Sequence, residues 1–211
     1  ITFTRLPVCL VGNGGGYAYG HMGPTHHALE DCATMCALGV QVLVPAFDED
    51  LYPILLGAKN DPSYLRLGYD VRPKGTTPPP YAPWRCILPG NNGVLAALGP
   101  LAGVAWNAFA NVPEQSSPAI WAVTELPVNE LPASFYTPIS EGGPLFILEE
   151  HTKAGGLGMQ ILYALGMLGI APSQVRHHHA CGYPSGKYGS QTFHRKECGL
   201  DIDTIRNLIC G

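Results

Sequence analysis

The sequence predicts an α/β fold with two parallel or mixed sheets, and three observations carry that prediction. Short apolar runs of strand length alternate with helix-length runs up to residue 68, and the rhythm resumes after residue 84. Between the two stretches lies DVRPKGTTPPPYAPW, residues 70–84, where prolines stiffen the chain and neither helical nor strand periodicity survives. Hydrophobic residues make up 46% of the 211, enough to bury a substantial core. The expected organisation is a first α/β domain over 1–69, a linker over 70–84 and a second α/β domain over 85–211.

Each element has its own justification. Residues 6–12, apolar and bounded by glycine, read as a buried strand. Pro24 and Thr25 open a helix running to about Leu38, with Thr25 as N-cap and Gly39 as stop. VQVLVP, 40–45, is a second strand, and FDEDLYPILLGAK begins with three acids suited to a helix N-terminus. PSYLRLG, 62–68, is a third strand. After the linker, RCILPG and GVLAAL read as strands, GPLAGVAWNAFANV as a helix and PAIWAVTEL as one strand. GPLFILEE, 143–150, is a strand ending in acids, and GGLGMQILYALGML is a helix with Leu157, Ile161, Leu162 and Leu165 on one face. SQVRHHHA is a strand and LDIDTIRNLIC a closing helix.

Composition removes several function classes. A net charge of −4 leaves no basic footprint for nucleic acid. No run of about 18 apolar residues spans a membrane, and no signal peptide is read at the start. The seven cysteines lack metal-type spacing and read as reduced thiols of a cytoplasmic protein, with Cys32 and Cys36 in a helical core pattern. Charged residues are only 13% of the chain, which points to surface hidden against a partner. Ile1 enters a strand pattern almost at once, so residues upstream of it are expected in the natural protein.

The stretch VGNGGGYAYGHMGPTHHALED, 11–31, carries the chemistry. It joins a strand to a helix, where α/β proteins place ligands. A dinucleotide fingerprint fails, because Tyr17 stands where its third glycine is needed. A phosphate loop fails for want of Gly-Lys-Ser/Thr. Metal binding is weak too: on a helix His26 and His27 diverge by about 100°, and no carboxylate or cysteine completes a set with His21. The His177-His178-His179 run alternates faces as a strand and reads as a strand end near an interface.

GPTHHALED is the point at which a family pattern emerges. GHMGPTHHALED resembles the central motif of the pyrimidine-binding domain in transketolase-like thiamine diphosphate enzymes, and VQVLVPAFDED resembles the strand and helix that follow it. GPLFILEEHTKAGGLG and YGSQTFHRKECGLDIDTIRNLI resemble motifs of the family's C-terminal domain. The four occur in the family's order over nearly the whole chain, and their form is most similar to the C-terminal subunit of split transketolases. The resemblance implies a partial pyrimidine-binding domain over 1–69 and a transketolase C-terminal domain over 85–211.

The resemblance also implies roles. His26, the histidine of Gly-Pro-Thr-His, is the expected catalytic residue, because imidazole can move a proton near neutral pH. Asn13, Tyr17, His21 and Thr25 are the expected substrate-binding residues, and Tyr19, Gly20 and Gly23 lie toward the cofactor. Thiamine diphosphate and Mg2+ are expected on a partner, the N-terminal transketolase subunit, with no metal ligand on this chain. The expected assembly is a heterotetramer, or a self-dimer through this chain.

The expected activity is transfer of a two-carbon ketol unit from a ketose to an aldehyde. The rival readings are a β subunit of a 2-oxoacid decarboxylating enzyme, a non-catalytic assembly subunit and a deoxyxylulose phosphate synthase fragment. EEHTKAGGLG is expected to serve assembly. The segment carrying Lys187, His194, Arg195 and Lys196 is expected to form a subunit contact, with a regulatory anion site as the alternative.

Departures from the family pattern bear on the substrate. Gly14 stands where sugar-phosphate transketolases carry another histidine, and Met22 where an acid often reads a sugar hydroxyl. Tyr69 falls near the place of the phosphate-reading arginine, and neither Arg66 nor Arg72 matches it cleanly. The family's cofactor-activating glutamate and its Gly-Asp-Gly metal signature have no counterpart here. A modified sugar, a nucleotide-linked sugar or a non-sugar acceptor is therefore expected in place of an ordinary pentose phosphate.

Overall fold

The computed structural model describes residues 1–58 and 60–210. The first segment runs β1 (Cys9–Asn13), α1 (Asp31–Ala37), β2 (Gln41–Leu43), α2 (Leu51–Gly57) and β3 (Ser63–Leu67). After an irregular stretch come β4 (Trp84–Leu88), β5 (Val94–Leu98), α3 (Leu101–Phe109), β6 (Ala119–Val123), β7 (Glu125–Leu126) and α4 (Ala133–Ser140). The chain continues through β8 (Leu145–Glu149), α5 (Leu157–Met167), β9 (Val175–His179), α6 (Gln191–Glu197) and α7 (Ile202–Cys210). The fold is α/β, as the sequence predicts.

Two sheets form. The larger has the order β4-β6-β5-β8-β9, parallel except for β4. Its central strand β5, VLAAL, is buried at every position, which explains an apolar run without alternation. Helix α3 packs on this sheet; Leu101, Ala102, Ala105 and Phe109 are all buried. The smaller sheet has the order β1-β3-β2-β7, with β7 antiparallel to β2.

The run PAIWAVTEL does not form one strand. It pairs with β5 up to Val123, breaks at Thr124 and then pairs with β2 through Glu125 and Leu126. One chain segment thus stitches the two sheets together. A second tie is ionic: Asp50 accepts the backbone N–H groups of Ala46 and Phe47 and pairs with Arg85 of β4 at 2.7 Å. Asp50 is the one of the three acids that turns inward at the start of the helical run. Both main cores mix residues from before and after the irregular stretch: Phe47 joins one with Leu95, and Val42 joins the other with Val94.

Several expectations are corrected. Strand β1 is exposed along most of its length rather than buried, with Val11 60% exposed, because β3 covers only one of its edges. The helix expected from Thr25 begins only at Asp31, after Glu30; residues 24–30 are turns, and Thr25 caps nothing. Gly39, at φ 75°, does end it. Helices α4 and α6 are additions. Pro138 inside α4 hides its helical character, yet Phe135 and Ile139, four apart, are both fully buried. Cys32 is a buried core thiol, and the six cysteines with described side chains are free.

Candidate functional site

The stretch between β1 and α1 folds into a glycine-dependent loop. Gly14 has φ 78°, and a Cβ there would lie 2.3 Å from the Tyr19 ring. Gly16 has φ 66°, and a Cβ there would meet the Glu150 carboxylate at 2.7 Å. The Gly16 and Ala28 backbones exchange hydrogen bonds of 3.0 and 3.1 Å, which close the loop at its base. No residue from 13 to 29 is an acid, a lysine or an arginine.

The loop has an inner wall. Tyr17 is fully buried; its hydroxyl donates to the Gly182 carbonyl at 2.8 Å and lies 3.5 Å from the Cys198 thiol. Burial pushes the Tyr17 phenol well above its ordinary pKa. Its ring stacks on the fully buried His194 at 4.9 Å and meets the edge of His27 at 5.3 Å. His27 Nε2 donates to the Gly20 carbonyl at 2.9 Å, and its Nδ1 accepts from the Tyr183 hydroxyl at 2.6 Å. Burial holds His27 below the usual imidazole pKa. Four rings from three chain segments thus form one interior cluster.

The outer rim faces solvent. His26 is exposed; its Nδ1 lies 3.0 Å from the Thr25 hydroxyl, and its ring is 6.2 Å from that of Tyr19. Asn13 donates weakly to the Tyr19 hydroxyl at 3.4 Å. Asn13, Tyr19, Thr25 and His26 are therefore brought together, while His21 is exposed on the same loop. The expectation that Tyr17 helps form the substrate mouth is corrected: its side chain belongs to the interior. Gly20 and Gly23 are buried, and the backbone of residues 189–191 lies within about 3 Å of where a Gly20 Cβ would be.

Charged groups fasten the loop from below. Glu150 accepts the Tyr17 N–H at 2.7 Å and the Gln191 amide at 2.9 Å, and pairs with Arg195 at 2.6 Å. The segment expected to contact another subunit is thus used inside the chain: His194 and Arg195 turn inward, and only Lys187 and Lys196 remain exposed. Glu149 accepts the N–H groups of Leu157 and Gly158 at 2.7 and 3.0 Å, and bonds His177 at 2.7 Å. The first N–H groups of the glycine-opened helix α5 are thus satisfied by the protein's own Glu149 carboxylate. EEHTKAGGLG, expected to serve assembly, makes these intrachain ties.

The arginines considered as phosphate readers are already engaged. Arg66, 5% exposed, bonds Asp31 at 2.8 Å together with the Ala28 and Glu150 carbonyls. Arg72 pairs with Glu49 at 2.6 Å and lies over the Phe47 ring. Asp31, Cys32 and His151 place potential metal-ligand atoms within 4.8 Å of one another. Their chemistry does not fit a cation. His151 Nε2 already accepts the Ala33 N–H at 3.2 Å, and the Arg66 guanidinium supplies the positive charge beside Asp31. The histidines at 177–179 alternate as a strand requires, with rings 177 and 179 at 5.0 Å on one face.

Comparison with known proteins now adds its part. No family model matches the chain. It is 24% identical over 192 residues to a subunit of apulose-4-phosphate transketolase from Phocaeicola vulgatus, covering 84% of this chain and 61% of that protein. It is 25% identical over 222 residues to the like-named protein from Actinobacillus succinogenes, covering 99% of this chain and 68% of that one. The chain thus spans about two thirds of the length of these relatives.

Among solved structures, a split-gene transketolase described as an inactive beta4 tetramer matches with TM-score 0.75 and 21% identity, over 99% of this chain and 67% of that one. A transketolase from Leishmania mexicana matches with TM-score 0.71 and 14% identity, over 99% of this chain and 30% of that one. The fold is that of the C-terminal part of transketolases. In sequence the chain resembles, more particularly, the C-terminal subunit of a split transketolase.

Proposed function

We propose that this chain is the C-terminal subunit of a two-component transketolase that moves a two-carbon ketol unit from a ketose donor to an aldehyde acceptor. The observation that carries the reading is the division of the glycine loop. An inner wall of Tyr17, His27, Tyr183 and His194 holds an outer rim on which His26 is exposed. With Nδ1 engaged by Thr25, the His26 ring offers Nε2 outward, where it can give or take a proton on a substrate oxygen. Asn13, Tyr19 and Thr25 add hydroxyl and amide groups suited to sugar hydroxyls.

Thiamine diphosphate, when bound, supplies the nucleophilic carbon that the reaction needs. The exposed His26 and Tyr19 side chains would hold the polar edge of its pyrimidine, whereas Gly20 is packed against residues 189–191 and would only shape the turn beneath them. The same rim, without acid, lysine or arginine from 13 to 29, does not suit a magnesium diphosphate. That charge pattern supports a partner N-terminal subunit holding the diphosphate and metal, and hence a heteromeric assembly. No helix among the described residues is long and apolar enough to cross a membrane. The free thiols support a cytoplasmic enzyme. The engaged arginines and Met22 favour a modified sugar over an ordinary pentose phosphate.

The test is reconstitution with the cofactor-binding subunit. The assembled enzyme should transfer a ketol unit from apulose 4-phosphate, the sugar in the relatives' name, to a sugar aldehyde. Acyl transfer from a 2-oxoacid in place of ketol transfer would replace this reading with the dehydrogenase one.

A further inference from the structure

The reading above uses His26 and leaves the histidine beside it unexplained. Its two ring nitrogens have unequal partners. The Gly20 carbonyl, 2.9 Å from Nε2, can only accept, so Nε2 carries the proton. In the neutral ring Nδ1 is then an acceptor, and the Tyr183 hydroxyl at 2.6 Å is the donor it requires. The His27 side chain therefore spans the turn from Gly20 to His27 as a staple. Within that turn, Gly23 N–H donates to Gly20 O at 3.3 Å and His26 N–H donates to Gly23 O at 3.0 Å. These bonds set the curvature that leaves His21, Thr25 and His26 outside.

We infer that Tyr183 is a positioning residue: its hydroxyl donates to His27 Nδ1 and so holds in place the ring whose Nε2–H staples turn 20–27, which sets where His26 stands. This rests on the proposed role of His26. Tyr183 lies in the loop after β9, 156 residues from His27 in the chain. It is held there by stacking on His27 at 5.6 Å and by edge contacts with Tyr188 at 5.3 Å and His194 at 5.6 Å. The C-terminal segment then serves as more than a support for assembly, because it reaches into the geometry of the rim. A ring without the hydroxyl would still fill the space, but His27 Nδ1 would lose its donor and the imidazole its second tether.

Tyr183→Phe tests this in two ways. In the intact chain, ring-nitrogen NMR shifts of His27 should report an Nε2–H form with a hydrogen-bonded Nδ1, and in the variant the Nδ1 resonance should move toward that of an unbonded ring nitrogen. In the reconstituted enzyme, assayed with apulose 4-phosphate and a sugar aldehyde, kcat should fall about fivefold, roughly the worth of one neutral hydrogen bond, with KM little changed. His27→Gln keeps an N–H for Gly20 and an acceptor for Tyr183, and should stay within about twofold of the parent; His27→Leu should lose at least as much as Tyr183→Phe. An unchanged Nδ1 resonance in Tyr183→Phe overturns the inference without any substrate. So does unchanged kcat in Tyr183→Phe while His26→Ala abolishes turnover, a result that leaves the reading of His26 standing. Unchanged turnover in His26→Ala would instead remove that reading, and the positioning role with it.

Discussion

The two faces of the glycine loop differ more than any sequence window across them suggests. On the outer rim, His26 and Thr25 are exposed and touch little besides each other and Tyr19. One residue further on, His27 is committed at both nitrogens, and Tyr17 beneath it has no exposed surface. Adjacent residues of one type thus have opposite duties, one free to meet a ligand and the other spent on holding the loop. The difference shows how a flexible, glycine-rich connection can still present a defined side chain: its rigidity is borrowed from residues 150, 183 and 194, far along the chain.

The sharpest way to break this comparison is to remove the rim without touching the wall. His26→Ala should lower kcat of the reconstituted enzyme by about a hundredfold or more, the usual range for a general acid–base group. Its effect on stability should stay within about 0.5 kcal/mol, because the side chain is exposed. Steady-state kinetics beside chemical denaturation would check both halves. A large loss of stability with turnover intact would reverse the assignment of the two faces.

The converse variant attacks the wall. Glu150 binds the Tyr17 N–H, Gln191 and Arg195, and it is 5% exposed. Glu150→Ala leaves the Arg195 guanidinium buried without its partner, which should cost about 3–5 kcal/mol in a urea titration. Restoring much of the loss with Arg195→Met in the same chain would identify the stranded charge as the cause. An effect of Glu150→Ala below about 1 kcal/mol would mean that the wall does not depend on this pair.

How far these features were legible in the sequence follows from their physics. The α/β rhythm was plain because the central strands of the larger sheet, β5, β6 and β8, are buried on nearly every position and read as apolar runs, as in VLAAL. The rim was legible through Gly-Pro-Thr-His, a local pattern. The wall was not, because it is made of partners more than a hundred residues apart, and nothing near Tyr17 announces Glu150 or Gly182. The misplaced helix start has a local cause: Thr25 resembles a cap, but the Gly16–Ala28 bridge keeps 24–30 in turns until Glu30. Strand β7 was hidden because a two-residue pairing in the other sheet leaves no periodicity. Ser190 was a usable signal that was missed: its hydroxyl accepts the Phe193 N–H at 3.2 Å and caps α6.

The smallest expected effect separates the two histidines by pH. Burial lowers the pKa of His27, and the neighbouring His194 and His26 act in the same direction, while the Gly20 carbonyl and Glu150 oppose it. The folded chain therefore refuses a proton that the unfolded chain accepts near its ordinary value of about 6.5. The unfolded state then binds more protons below that pH, so stability should be full above it and fall as pH drops through it toward the lower folded value. His178, also lowered chiefly by burial, should add to the same slope. In thermal melts from pH 7.5 down to pH 5.5 the midpoint should drop, by less than about 5 °C for the two together. His27→Gln should flatten part of that slope. A midpoint that rises on acidification would mean that the ring between Tyr17 and Tyr183 gains its proton on folding, and the tautomer required by the staple could not be the resting one.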